Sequence, residues 1–182
     1  MVSFRAYVMA VERVERWLRQ VTDALNTAGI PYALVGGNAV AAWVATVDPQ
    51  ATRATKDVDL LVRQSDPAAI TRLFDGLGFR CESRRSGVHL IWAGQRVKPS
   101  DLMLTPDVDE SQMAPEGFRI IDLAALVRMK LTSFRDIYRA HLIDMLSVGL
   151  LDSATRAGIP DALRARFAEV ERLAREQEPP GH

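Results

Sequence analysis

Apolar side chains at Phe4, Tyr7, Val8, Val11, Val14, Leu18, Val21 and Leu25 recur at steps of three and four. That period lines one face of a helix and predicts a long amphipathic helix over residues 3–28. Gly29 stops it and Pro31 confirms the stop. Tyr32-Ala33-Leu34-Val35 is a short apolar run that reads as a strand, Gly36-Gly37 closes it, and Asn38 through Val44 reads as a short buried helix. Asp48-Pro49 opens a loop that lasts to Thr55. In Asp57-Val58-Asp59-Leu60-Leu61-Val62 the period of two sends both carboxylates to one face of a strand while Val58, Leu60 and Val62 enter the core on the other.

Ser65-Asp66-Pro67 supplies an N-cap and a first-turn proline for a helix of about ten residues, ended by Gly76 and Gly78. Phe79–Ser83, Val88–Ala93 and Arg96–Leu104, joined by Arg84-Arg85-Ser86-Gly87 and Gly94-Gln95, predict an antiparallel meander. Its third strand carries Asp101 and could lie beside the aspartate strand. A loop with Pro106 and Pro115 follows, then helices over 122–132, 134–148 and 160–176. The expected fold class is α+β: a mixed sheet flanked by helices, with a C-terminal helical extension. Residues 1–120 form the core with its N-terminal helix, and residues 121–182 form a helical part packed on it.

Composition narrows the class. The 182 residues and 48% apolar content suit one well-buried domain. Lys plus Arg and Asp plus Glu both total 23, which argues against a generic polyanion binder of the basic-arm type. A local exception is residues 80–98, where Arg80, Arg84, Arg85, Arg96 and Lys98 face one acid, Glu82, as a docking place for a polyanionic acceptor. A single cysteine, Cys81, rules out an intramolecular disulfide and a Cys-rich zinc site, and without companion residues it reads as packing. Early charges at Arg5, Glu12 and Arg13 break any signal-peptide pattern, and no stretch reaches the ~18 apolar residues of a membrane span, so a cytoplasmic location is expected.

Two anions side by side repel and raise one pKa, so a chain keeps such a pair mainly where a divalent cation neutralises it. Asp57 and Asp59 are therefore the candidate metal ligands. Gly36 and Gly37 let the backbone approach a phosphate without a Cβ in the way, and the helix that follows directs its amides at the anion. His89, on an alternating strand with no second histidine at ligand spacing, reads as a surface or cross-strand residue.

The run Leu34-Val35-Gly36-Gly37, then Asp57-Val58-Asp59-Leu60, then Asp101, resembles the signature of the DNA polymerase beta-like nucleotidyltransferases. Arg53-x-Thr55-x-Asp57-x-Asp59 is similar to the toxin-type branch, the AbiEii- and MenT-like group of toxin–antitoxin systems. Lys130, Arg135-Asp136 and Asp144 look like the lysine and Arg-Asp pair that this branch carries on later helices. The resemblance implies catalytic and metal-binding roles for Asp57, Asp59 and Asp101 around two Mg2+ ions. It implies nucleotide binding by Gly36, Gly37, Arg53, Thr55, Lys130 and Asp136. The implied activity moves a nucleoside monophosphate from an NTP such as ATP to a hydroxyl of RNA or protein, with an antitoxin protein as partner. The alternatives are a small-molecule antibiotic adenylyltransferase, whose acceptor pocket should be acidic or aromatic, and a non-catalytic nucleotide-binding domain.

Overall fold

The computed structural model describes residues 4–63, 67–79 and 87–177, with side chains from Val11 onward. The elements in chain order are α1 (Phe4–Ala28), β1 (Tyr32–Val35), α2 (Gly36–Ala45), a 3-10 turn at Pro49–Ala51, β2 (Val58–Val62), α3 (Pro67–Gly76) and β3 (Val88–Trp92). Then come β4 (Ser111–Met113), β5 (Arg119–Ile121), α4 (Leu123–Ser133), α5 (Asp136–Ser147), α6 (Ser153–Ala157) and α7 (Asp161–Gln177). The fold is α+β, as the pattern predicts.

Five strands form one mixed sheet in the order β3-β2-β1-β5-β4. β1 pairs antiparallel with β2 and parallel with β5, β2 pairs parallel with β3, and β4 pairs antiparallel with β5. Apolar side chains on both faces make the central strands nearly continuous hydrophobic runs, since each face must be covered. Tyr32, Leu34, Val58, Leu60 and Val62 pack under α1 and α3 with Val21, Leu25, Ile70 and Phe74. Ala33, Val35 and Leu61 face the other way, into a larger core with Val40, Leu126, Leu131, Leu142, Met145, Leu163 and Phe167 from α2, α4, α5 and α7. Asp57 and Asp59 share the alternation of Leu61, so the carboxylates open on the side of α2, α4 and α5. Among the described residues no helix is long and apolar enough to cross a membrane.

Of the antiparallel meander expected over 79–104, the described residues hold one strand, 88–92, and it runs parallel to β2 rather than antiparallel to a neighbour. Residues 80–86, with Cys81, Arg80, Arg84 and Arg85, lie outside the described residues, as does the Ser65-Asp66 cap of α3. Residues 96–104 are turns because Lys98-Pro99-Ser100 closes on itself. The Asp101 N–H donates to the Lys98 carbonyl at 3.1 Å, and the Lys98 N–H donates back to Asp101 Oδ2 at 2.9 Å. Pro99 also lacks the N–H a central strand requires. The sheet instead takes its remaining strands from the segment read as a loop, where Ile120 pairs with Leu34. Later helices match their periodicity, and the one addition is the short α6, capped by Asp152 on the Thr155 N–H.

Candidate active site

The two strand ends meet at the glycines. Antiparallel register sets Val35 opposite Asp59, so the chain leaving β1 at Gly36 passes directly over that carboxylate. Gly36 has φ of 71°, and a Cβ there would fall 1.9 Å from Asp59 Oδ2. Both the left-handed backbone and the contact demand glycine. A Cβ on Gly37 would come 3.0 Å from Thr55 Oγ1. α2 starts at Gly36, so its unpaired first-turn amides lie at the same edge. Asn38 Nδ2 donates to the Asp57 carbonyl at 2.7 Å and Thr55 Oγ1 donates to the same oxygen at 3.3 Å, which ties the loop entering β2 to α2. Across the parallel pair His89 is the register partner of Asp59, and its Nδ1 lies 3.1 Å from Asp59 Oδ1.

The facing wall comes from α4 and α5. Lys130 is only 3% exposed. Burial pushes its pKa down to about 8, Arg135 pushes the same way, and Asp59 opposes both. Its Nζ sits 4.3 Å from the Tyr138 ring centroid, and the Arg135 guanidinium lies over the same ring at 4.1 Å. His141 stacks on Tyr138 with centroids 6.3 Å apart. Burial, helped by Lys130 and Arg53, holds the His141 pKa down near 4, and its buried Nδ1 has no hydrogen-bond partner. Strand end, glycines, α4 and α5 line one open cleft of about 1150 Å³.

Most of the residues singled out from the sequence are brought together here: Gly36, Gly37, Arg53, Thr55, Asp57, Asp59, Asp101 and Lys130 all border the cleft. Asp136 is not among them. Its carboxylate points to solvent and pairs with Arg139, so the nucleotide-binding expectation for Asp136 is not supported by its place. Asp101 is buried, with Oδ1 accepting from Ser133 Oγ at 3.0 Å and Oδ2 accepting from the Lys98 N–H. Among the described residues no three His, Cys, Asp or Glu side chains gather as a metal cluster, so Asp101 does not complete a triad with Asp57 and Asp59. The Asp57–Asp59 pair alone still fits magnesium, which binds through one or two carboxylates and fills its remaining positions with water and phosphate.

Sequence reasoning passed over Tyr138 and His141, and took His89 as a surface or cross-strand residue without its partner, Asp59. The signal for the first two was present: Tyr138 and His141 stand one turn apart and therefore share a face of α5. His89 could be found only once β3 was known to run parallel to β2.

The arrangement of a five-stranded mixed sheet flanked by helices, with a C-terminal helix, is shared with a protein of known structure. One solved structure to which the chain is similar is the solution structure of the antibiotic-resistance factor ANT(2'')-Ia, described as revealing substrate-regulated conformation dynamics. The TM-score is 0.52 at 16% identity, over 88% of this chain and 96% of that one. The sequence matches no family model and no curated protein.

Proposed function

We propose that the chain is a magnesium-dependent nucleotidyltransferase that moves a nucleoside monophosphate from an NTP to a hydroxyl of RNA. The observation that carries the reading is a buried lysine facing a glycine-backed aspartate pair across one cleft. Asp57 and Asp59 would hold magnesium, which when bound neutralises the charge that builds on the phosphate oxygens. Gly36, Gly37 and the first amides of α2 receive the phosphates, Lys130 offsets their charge from the opposite wall, and Arg53 and Thr55 border the same edge. The acceptor hydroxyl attacks the α-phosphorus and releases its proton to water in the open cleft, a new P–O bond forms, and the bond to the leaving pyrophosphate breaks. Asp101 would join the two strand aspartates only on leaving Ser133 and the Lys98 N–H.

The charges of the cleft support an anionic acceptor. Asp144 is held by both Nε and Nη2 of Arg53, each at 2.7 Å. Asp101 is engaged as described, so beyond the metal pair no carboxylate of the cleft is left over among the described residues. Lys56, Lys98, Lys130 and Arg135 line the cleft with no carboxylate within 4.0 Å among the described residues. A polyanion suits that surplus, and in the toxin-type reading an antitoxin protein is the expected partner. The second reading, an antibiotic nucleotidyltransferase, is favoured by the fold shared with ANT(2'')-Ia. A polycationic antibiotic would need an acidic or aromatic wall; the cleft has the aromatic Tyr138, but Lys130 and Arg135 already lie against its ring and leave that wall cationic.

The deciding experiment incubates the protein with each α-labelled NTP and magnesium, in parallel with total RNA, an aminoglycoside panel, or no acceptor. Label on RNA supports the proposal. Label on the aminoglycosides moves the assignment to the second reading, and NTP binding without magnesium-dependent pyrophosphate release identifies a non-catalytic domain.

A further inference from the structure

Phe134 is the only non-glycine with positive φ among the described residues (φ 45°, ψ 40°), and it stands at the bend between α4 and α5. A bulky side chain in the left-handed region is disfavoured by about 1–2 kcal/mol and persists where its surroundings impose it. Its N–H donates to the Lys130 carbonyl at 3.0 Å, and the guanidinium carbons of Arg139 and Arg166 lie 5.3 and 5.2 Å from its ring centroid. Arg166 reaches in from α7, and its Nη1 donates to the carbonyls of Leu131 (2.8 Å) and Thr132, two of the oxygens that the end of α4 leaves without helical partners.

We infer that Phe134 and Arg166 are positioning residues that fix the angle between α4 and α5 and thereby hold the Lys130 ammonium in the cleft, so that the C-terminal helix sets the phosphate site. Lys130 lies four residues before Phe134, and Tyr138, whose ring carries the ammonium, lies four residues after it. The bend is thus the shared support of both. Without the Arg166 bonds, the last carbonyls of α4 turn to water and the α4–α5 angle loosens. Without the Phe134 ring, the two guanidiniums lose the surface on which they rest. The groups facing Lys130 are Asp59 from β2, Arg135 from the bend, and Tyr138 and His141 from α5. The role assigned to the lysine rests on the nucleotidyltransferase reading, but its placement does not.

The test follows acylation of Lys130 by an amine reagent across pH, read by mass spectrometry on the full chain. In the wild type the expected midpoint is about 8. In Arg166→Ala and in Phe134→Gly, whose glycine keeps the backbone conformation, the midpoint moves up towards the ordinary 10.5 as the amine hydrates, and NTP binding weakens by about tenfold. Arg166→Lys, which keeps one donor, restores a midpoint near 8. If Arg166→Ala does not fold, the other two variants carry the test. A midpoint that stays near 8 in folded Arg166→Ala or Phe134→Gly overturns the inference. Failure of NTP to protect wild-type Lys130 from acylation instead removes the nucleotide reading and leaves the positioning result to stand or fall on the midpoint.

Discussion

Gly36 and Asp59 touch so closely that a methyl group on the glycine would overlap the carboxylate, 1.9 Å from its Oδ2. Gly36→Ala must therefore displace Asp59 as well as adopt a disfavoured backbone. The expected result is a loss of about 2 kcal/mol or more in chemical denaturation, with magnesium-dependent labelling abolished. Gly37→Ala meets Thr55 Oγ1 at 3.0 Å, a side chain that can rotate, and should keep measurable labelling. Equal activity in the two variants would contradict the close approach.

Asp57→Asn and Asp59→Asn separate metal binding from folding. Each removes one of two repelling anions, and Asn at 59 keeps an oxygen near His89 Nδ1. Thermal stability should hold or rise in Asp57→Asn and fall in Asp59→Asn, whose carboxylate also supports the buried Lys130 ammonium, while labelling in both falls by about a thousandfold or more as a charge-stabilising metal site is lost. Asp101→Asn should cost less than about tenfold in labelling, because in the structure that carboxylate serves Ser133 and the Lys98 amide. A loss at Asp101 as large as at Asp59 would restore the three-carboxylate site.

Lys130 predicts a rise in stability at alkaline pH. Its folded pKa of about 8 lies below the ordinary 10.5, so between those values the unfolded chain binds more protons and stability increases with pH. At neutral pH the buried charge costs on the order of 3 kcal/mol. Lys130→Met should raise neutral-pH stability, flatten the rise between pH 8 and 10.5 in urea titrations, and abolish NTP binding.

His141 predicts the opposite flank. Its folded pKa near 4 lies below the ordinary 6.5, so the fold keeps it neutral and loses stability as pH falls from 6.5 towards 4, with the loss levelling off below that. His141→Gln should remove this acid limb from denaturation midpoints measured over pH 4 to 7.

The elements that the sequence reveals are those whose own residues carry the period. The aspartate strand, the glycine turn and the α4, α5 and α7 helices bury a regular apolar pattern, so they stand within a residue or two of their expected limits. β4 and β5, three residues each, are too short to show alternation, and β5 is fixed by a parallel neighbour, β1, that lies far away in the chain. The 96–104 segment has strand-like composition but is claimed by the Asp101–Lys98 turn. In the site, Asp57, Asp59 and the glycines were legible from spacing. The burial of Lys130 was not, because an amphipathic helix normally leaves a lysine in water, and only the approach of α5 encloses it.

Arg53 is open to solvent, with 63% of its side chain exposed, whereas the Asp144 that it grips is only 14% exposed. Detaching the arginine would strand a carboxylate in a poorly hydrated recess. Any ligand that recruits Arg53 must displace this internal rival, so the segment linking α2 to β2 screens what enters, favouring multivalent guests over a lone small anion.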